Sequence, residues 1–436
     1  MLQHILSFLP AQEAVQTCVL ARRWSHLWRS TTGLRLVGRD GPGPARDLRK
    51  FVGNLLRRHD KRTDLHTVEI KITFDPYSDG DNLPYVVLWI RSAVRRRVRS
   101  LTLHHFGPFL DLDTSQQLGP SLYLEGAHID SPHLTTLDLA SVDLECTLLD
   151  FASCPALEYL KLHECYISLS KIYSASLKHL SITGCFYDPP CRLHVSTPGL
   201  VLRLDNFWGV TPFFENMVQL ETAWVNLGRY CQDTCCSYLQ YDIYCGADNA
   251  CLSCDDYSAE LVLLGGISSA RHLELISEFQ NITFSRDLEH CPVFRNLKTL
   301  LLNEYWCMPP AGCDRLACIL KNSPVLEKLT LELFSKGPNH EVEMKGNYGT
   351  MEGMSAISEH LKIVQVKCNA VDEKILEVLK FLRALNIRRT ACRDTKLVES
   401  FWTSLVLVTR EDSMSSNGEN IGGCRRRLNL FCSLVD

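Results

Sequence analysis

Leucines recur at a fixed spacing through much of this chain, and that spacing predicts a series of short strands. The unit is Leu-x-x-Leu-x-Leu, often followed by Cys or Asn. Copies begin at the following leucines: Leu134, Leu157, Leu177, Leu297, Leu326 and Leu361. Most copies are separated by the roughly 20–29 residues that such stacked units require. Because one unit cannot bury its leucines alone, we expect the units to stack into a curved parallel sheet with helices or turns outside it.

The first thirty residues show a different pattern, with apolar residues at helical spacing. Leu2, Ile5 and Leu6 predict one helix, and Pro10 predicts its separation from the next. Trp24 and Trp28 stand four residues apart, on one face of a predicted third helix. Three such short helices have little core of their own, so this segment needs a partner or a neighbouring domain to cover its apolar faces.

The segments around the repeats predict further elements. Residues 67–74 alternate like a half-buried strand, and residues 83–98 read as an amphipathic helix. A second amphipathic helix is expected from Asp372 onward, lined by Ile375, Leu376, Leu379, Leu382 and Leu385. Beyond Arg389 the pattern fades, so the tail is expected to be disordered.

Composition narrows the class of protein. The 436 residues are 45% hydrophobic, and their formal net charge of −4 argues against nucleic acid or an anionic membrane as a partner. We find no run of about 20 apolar residues and no signal-peptide pattern. The 20 cysteines are therefore interpreted as reduced thiols of an intracellular protein, in the nucleus, the cytoplasm or both.

Two clusters invite a chemical interpretation. Cys251 and Cys254 have the two-residue gap of half a zinc site, which Cys235 or Cys231 could complete, but the other spacings are irregular and favour a loop rich in reduced thiols. The arginines between Arg91 and Arg99 suit a phosphate-binding or nuclear-import patch, or the solvated end of a helix. No phosphate loop, nucleophile elbow or metalloprotease motif occurs, so we expect neither catalysis nor a cofactor.

The N-terminal stretch LxxILSFLPxxEAVxTCVLARRWxxLW resembles the plant F-box, the helical module that docks onto the adaptor of SCF (cullin) ubiquitin ligases. F-boxes usually open with Leu-Pro-Asp before the first helix, whereas this chain begins within that helix, so we expect a shortened F-box. A helical cap on the following domain is the alternative. The resemblance implies that the adaptor-binding residues are Leu9, Pro10, Val15, Val19, Trp24, Leu27 and Trp28.

The remainder resembles the same plant family. FASCPALEYLKL and LKNSPVLEKLTL are similar to its leucine-rich repeats, and residues 360–386 to its C-terminal FBD segment. We therefore expect an α/β protein in which a small all-α F-box precedes a leucine-rich-repeat solenoid (a horseshoe) with an FBD cap. The expected domains are an F-box at 1–40, a connector and cap at 41–97, repeats at 98–345 with a Cys-rich loop at 228–256, the FBD segment at 355–389, and a tail at 390–436.

This resemblance implies a non-catalytic substrate-recognition subunit that binds the adaptor and, through it, cullin. Residues beside the buried leucines point to the opposite, solvent-facing side of each strand and are candidates to bind a target protein. They are Asp138, Tyr159, Lys161, His163, His179, Thr183, Asn303, Lys328 and Glu332. Ordinary solvated strand residues are the alternative. Competing functions are a leucine-rich scaffold outside any ligase, a fragment of a nucleotide-binding immune receptor, and a zinc-stabilised binding module.

Overall fold

A computed structural model describes most of the chain. The described residues are 1–37, 43–73, 83–106, 122–124, 127–145, 148, 151–187, 192–215, 217–228, 231–233, 261–278, 281–307, 313–334, 360–368, 373–384 and 428–433. They form a mixed α/β structure with mostly parallel sheet. The chain divides into two compact units, Met1–Glu215 and Asn216–Asp436, and this division falls inside the predicted repeat region.

The N-terminal segment of the first unit is helical, as its pattern predicts. Helix α1 spans Leu2–Leu6 and α2 spans Ala11–Gln16, with Pro10 between them in an extended conformation. The single third helix predicted over the tryptophans is wrong. Two 3₁₀ turns, Arg22–Trp24 and Leu27–Ser30, replace it. The Ser25 hydroxyl donates to the carbonyl oxygen of Arg22 at 2.8 Å, a local bond that competes with continued helix.

The rest of the first unit is built on parallel strands. Its helices are α3 (Ala45–Arg58) and α4 (Leu83–Arg95), with 3₁₀ turns at Thr17–Val19 and Phe151–Ser153. Its strands are β1 (Gly33–Val37), β2 (Gly43–Pro44), β3 (Thr67–Thr73), β4 (Ser100–His105), β5 (Thr136–Ala140), β6 (Asp143–Leu144), β7 (Tyr159–His163), β8 (Tyr166–Ile167), β9 (Lys171–Tyr173), β10 (His179–Thr183), β11 (His194–Ser196), β12 (Val201–Asp205) and β13 (Phe213–Phe214). The main order is β1-β3-β4-β5-β7-β10-β12, all parallel, with β2 also paired to β3. Two smaller parallel groups are β6-β8 and β9-β11-β13.

The repeat leucines form the core of this sheet. Successive register partners in the parallel strands are Leu101, Leu137, Leu160, Leu180 and Leu202. Each of them is at most 2% exposed. Burying one leucine side chain stabilises the fold by about 1.5–3 kcal/mol. The ladder therefore explains why the sequence repeats leucine at these positions.

The second unit repeats this construction. Its helices are α5 (Leu264–Ile267), α6 (Thr283–Glu289), α7 (Asp314–Lys321) and α8 (Glu373–Ala384), with a 3₁₀ turn at Glu304–Trp306. Its strands are β14 (Thr222–Leu227), β15 (His272–Ser277), β16 (Thr299–Asn303), β17 (Lys328–Leu333), β18 (Ile363–Cys368) and β19 (Leu428–Ser433). From β14 to β18 the pairing is parallel, with Leu300, Leu329 and Val364 in register.

Helix α8 and strand β19, both in the C-terminal region, differ from the sequence-based expectation. Ile375, Val378 and Leu382 are the buried residues of α8, whereas Leu376 is 45% exposed and does not belong to the buried stripe. In the tail expected to be disordered, Leu428–Ser433 forms β19, antiparallel to β18. An edge strand presents unpaired N–H and C=O groups, which an extended segment satisfies by pairing with it. In the part of the chain that the structure describes, no helix is long and apolar enough to cross a membrane.

Candidate protein-binding surfaces

The exposed face of the first unit's sheet brings several predicted target-binding residues together. Parallel register aligns Asp138 with Lys161, and His163 with Thr183. A third row pairs Tyr159 with His179. Side chains two residues apart along a strand share one face, so these residues lie opposite the buried leucines. We call Asp138, Tyr159, Lys161, His163, His179 and Thr183 the target-face residues.

A cavity of about 350 Å³ opens where strands β4, β5, β7 and β10 end. Its polar lining includes His104, Asp138, Lys161, His163 and Glu164. His104 lies on β4 and is not among the residues predicted from the sequence. The alternation of that strand was the signal, because Leu101 and Leu103 are buried and His104 therefore faces outward.

A histidine–carboxylate hydrogen bond organises this cavity. Nε2 of His104 donates to Oδ1 of Asp138 at 3.0 Å, and both side chains are about three-quarters buried. Burial opposes ionisation of Asp138, but the hydrogen bond from His104 and the positive charge of Lys161 outweigh it and lower the pKa of Asp138. A second pair joins His163 Nε2 and Glu164 Oε1 at 3.4 Å. The cavity therefore offers fixed charges of both signs, as protein surfaces that bind protein commonly do.

Beside the cavity, Tyr159 and His179 form an aromatic platform. Their rings stack with centroids 4.3 Å apart and an interplanar angle of 6°. Tyr159 remains 38% exposed. Rigid aromatic surface is enriched in protein interfaces because it contributes contact area at a low entropic cost.

The predicted target-binding residues of the second unit have other contacts. Nδ2 of Asn303 donates to the carbonyl oxygen of Ser277 at 2.8 Å, so this side chain ties β16 to the end of β15. Glu332 accepts a hydrogen bond from Nζ of Lys367 at 2.9 Å. Lys328 is half-buried on β17. These residues lie in a different unit from the target-face residues.

The predicted adaptor-binding residues differ widely in exposure. Val19 is 87% exposed, whereas Trp28 is only 6% exposed. Trp28 is the buried residue of the 3₁₀ turn Leu27–Ser30. Half-buried positions are held by the remaining predicted residues, Leu9, Pro10, Val15, Trp24 and Leu27.

Three exposed apolar residues of this segment were not among the predicted adaptor-binding residues. Phe8 is 62%, Leu20 68% and Ile5 49% exposed. Helical periodicity placed Ile5 with Leu2 and Leu6 on the apolar face of α1, and of these three only Leu6 is buried. Leu20 directly follows Val19, which was predicted to bind the adaptor, and this adjacency could have indicated that Leu20 is exposed as well.

The N-terminal segment is attached closely to the first strand. Nη1 of Arg35 donates to the carbonyl oxygen of Phe8 at 2.7 Å, while Nε of Arg35 pairs with Glu69. A Cβ at Gly33 would lie 2.8 Å from Cβ of Ser7, so only glycine permits this approach. These contacts fix the backbone beside the exposed Phe8 to strand β1.

Of the two clusters predicted from the sequence, the arginine run and Cys231 lie within the described residues. Cys231 is 6% exposed, and its thiol lies 3.9 Å from Oδ2 of Asp233. Cys235, Cys251 and Cys254 lie outside the described residues, so the zinc prediction stays a prediction. In the arginine run, Arg96 donates through Nη1 to His59 and is part of the unit's interior network.

Comparison with known proteins finds plant F-box proteins that are similar to this chain. A putative F-box protein of Arabidopsis thaliana is 29% identical over 224 residues, which cover 48% of this chain and 54% of the relative. The match to that relative thus spans about half of its length. An F-box/FBD/LRR-repeat protein of the same plant is 24% identical over 423 residues, covering 90% of this chain and 88% of the relative. In rice, the meiotic F-box protein MOF is 28% identical over 356 residues, covering 76% and 69%.

No family model matches the chain. The curated relatives nevertheless define a class, plant proteins that carry F-box and LRR names. Several Arabidopsis F-box/FBD/LRR-repeat proteins are homologous to this chain, and one aligns over nine-tenths of it. The family resemblance drawn from the sequence is thereby confirmed.

Proposed function

We propose that this chain is the substrate-recognition subunit of an SCF-type (cullin) E3 ubiquitin ligase. In this proposal the N-terminal segment docks onto the adaptor subunit and, through it, onto cullin. The strand face binds a target protein. Ubiquitin transfer belongs to other subunits, so this chain contributes proximity without catalysis or a cofactor. We place its action in the nucleus, the cytoplasm or both.

The observation that carries the proposal is the exposure of apolar side chains in a segment with an F-box-like sequence. Val19 and Leu20 are adjacent and 87% and 68% exposed, and Phe8 is 62% exposed. Water contact with such side chains is unfavourable by about 25 cal/mol per Å² of apolar surface. Exposed apolar groups concentrated in one short segment are typical of protein interaction sites.

The architecture proposed for the rest follows from the parallel leucine ladders. We propose that the strands of both units belong to a leucine-rich-repeat solenoid, and that β18 and α8 form its FBD cap. The buried residues of α8 support a capping role, since an end repeat otherwise leaves apolar surface uncovered. For the target, we propose the target-face residues around the His104–Asp138 cavity.

The adaptor interaction is tested by co-purification of the full chain with the plant SCF adaptor. Val19→Asp with Leu20→Asp introduces two charges at exposed positions, so the fold should persist. Each charge would have to lose water on binding, and we expect affinity at least about tenfold weaker, which corresponds to 1.4 kcal/mol. Val218→Asp is the matched control, because Val218 is also an exposed apolar residue, at 66%, but lies in the second unit.

The scaffold outside any ligase is the competing function. The burial of Trp28 favours it, since this residue packs into its own unit instead of offering an anchor. Failure of the wild-type chain to capture the adaptor, with its fold verified by circular dichroism, would establish that alternative over the ligase. Equal loss of binding in the Val218→Asp control would show that charge alone, and not the N-terminal segment, explains the effect.

A further inference from the structure

Two cysteines of neighbouring segments meet in the second unit. Cys291 follows α6, and Cys318 lies in α7. The carbonyl oxygen of Leu288 accepts a hydrogen bond from the amide N of Cys291 at 3.3 Å and lies 3.6 Å from Sγ of Cys318. This shared oxygen fixes the Cys318 sulfur beside the backbone of Cys291. Sγ of Cys291 lies 3.6 Å from the carbonyl oxygen of Pro292, and the two thiols are near enough to alter each other's pKa.

The two sulfurs are chemically unequal. Interaction with the neighbouring Cys291 thiol, with help from the charge of Lys321, outweighs burial and lowers the pKa of Cys318 to about 7. The same interaction, followed by burial, raises the pKa of Cys291. Cys318 therefore carries a large thiolate fraction at neutral pH, while Cys291 keeps its proton. A thiolate beside a protonated partner is the arrangement that oxidation-sensitive cysteine pairs require.

Access distinguishes this pair from another cysteine pair of the chain. Cys291 and Cys318 are both only half-buried. Cys165 and Cys185 also influence each other's ionisation, but both are 0% exposed. Burial raises the pKa of Cys185 well above its usual range. An oxidant in solution therefore reaches a thiolate at the first pair and neither a thiolate nor a sulfur at the second.

We propose that Cys291 and Cys318 form a reversible disulfide in response to peroxide. The Cys318 thiolate attacks one oxygen of hydrogen peroxide, and this yields the sulfenic acid and hydroxide. The Cys291 sulfur then displaces hydroxide from the sulfenic acid, and its proton leaves with that hydroxide as water. Two thiols lose two electrons in total, and one peroxide is reduced. A dithiol reductant reverses the reaction by thiol–disulfide exchange.

The bond would act on the repeat between the two cysteines. Strand β16, with Leu300 and Leu302 in the core, lies between Cys291 and Cys318 in the chain. A disulfide closes this segment into a loop and restricts the unfolded chain, so the oxidised form should unfold at a higher temperature. The pair thus links the oxidation state to the stability of the second unit. This inference does not depend on the proposed ligase function.

Trypsin separates the two cysteines cleanly. Cleavage after Arg286 and Arg295 releases DLEHCPVFR, and cleavage after Arg315 and Lys321 releases LACILK. Each peptide contains one cysteine. The full chain is treated with hydrogen peroxide, free thiols are alkylated, and the digest is analysed by mass spectrometry before and after reduction. We expect these two peptides joined, two hydrogens lighter than their sum, and separated by dithiothreitol.

Variants distinguish a specific disulfide from general oxidation. In Cys291→Ser we expect the joined peptide to disappear and the Cys318 sulfenic acid to be trapped by dimedone. In Cys318→Ser both products should be lost. Cys165→Ser is the matched control and should leave the joined peptide unchanged. The proposal is overturned if LACILK stays fully alkylated after peroxide, if it joins a different cysteine peptide, or if Cys165 and Cys185 cross-link as fast as Cys291 and Cys318.

Discussion

Arg96 donates a hydrogen bond from Nη1 to Nδ1 of His59 at 2.8 Å, in the interior of the first unit. Because Nδ1 accepts, the proton of the neutral imidazole is assigned to Nε2, which donates to the carbonyl oxygen of Thr31 at 3.0 Å. His59 is 1% exposed. It thereby connects the end of the N-terminal segment to the helices behind the sheet in one tautomer only.

This contact predicts a loss of stability in mild acid. Burial, and then the positive charge of Arg96, lower the pKa of His59 below its usual 6.5. The unfolded chain therefore binds a proton at a higher pH than the folded chain, so the free energy of unfolding should fall as pH drops below about 6.5. Urea unfolding midpoints at pH 7.5 and 5.5 measure this. The drop should shrink in His59→Gln and persist in His133→Gln, whose side chain is exposed. Identical pH dependence in all three proteins would contradict the prediction.

Gly33, at the start of β1, leaves no space for a side chain between Ser7 and Thr67. A Cβ there would lie 2.8 Å from both Cβ of Ser7 and Oγ1 of Thr67. We expect Gly33→Ala to lower the free energy of unfolding by about 1–3 kcal/mol, as overpacked substitutions do. Gly53 is the control, because an added Cβ there meets nothing within 4 Å and the residue lies inside α3. Gly53→Ala should stabilise the protein by about 0.5–1 kcal/mol through helix propensity. Thermal melts that move in the same direction for both variants would refute the steric argument.

The buried carboxylate of Asp287 should contribute to the stability of the second unit. It accepts backbone hydrogen bonds from Val262 at 3.1 Å, Leu263 at 2.8 Å and Leu264 at 2.7 Å, at the start of α5. Asp287→Ala leaves these buried N–H groups unpaired and should cost about 1–3 kcal/mol. Glu289→Ala, at an exposed position of the same helix α6, should change stability by no more than about 0.5 kcal/mol. Chemical denaturation compares the two, and equal small effects would show that water replaces the carboxylate.

The strand face was predictable because leucine spacing and strand alternation are both periodic. Once Leu160 and Leu162 are assigned to the core, Tyr159, Lys161 and His163 must face the other side. Parallel pairing of the repeats then aligns Asp138 with Lys161 without further information. These inferences need only the backbone geometry of a parallel sheet.

The N-terminal segment was predicted less well because its contacts are not periodic. Trp28 was assigned to the adaptor interface by its sequence motif, and this stays a prediction; its low exposure of 6% did not follow from hydrophobic spacing. Neither the 3₁₀ turns nor the attachment through Arg35 follows from hydrophobic spacing. The turns depend on local hydrogen bonds such as that from Ser25 to Arg22, and the attachment depends on a hydrogen bond between residues distant in sequence. The partnership of Cys291 with Cys318 has the same origin, because packing of α6 and α7 decides it.

Adjacent residues on β7 allow folding and target recognition to be separated. Leu160 is 0% exposed, whereas Lys161 lines the cavity on the opposite face. Leu160→Ala should cost about 2–5 kcal/mol of stability through lost burial and the cavity it leaves. Lys161→Ala removes a solvated charge and should change stability by no more than about 0.5 kcal/mol.

If the target-face residues bind the target, proximity labelling in plant cells should recover a set of proteins with the wild type that Lys161→Ala loses. Lys298→Ala, an exposed lysine of the second unit paired with Glu327, should retain that set. Loss of the same proteins by both lysine variants would instead point to a general charge effect, and retention by both would remove Lys161 from the target face.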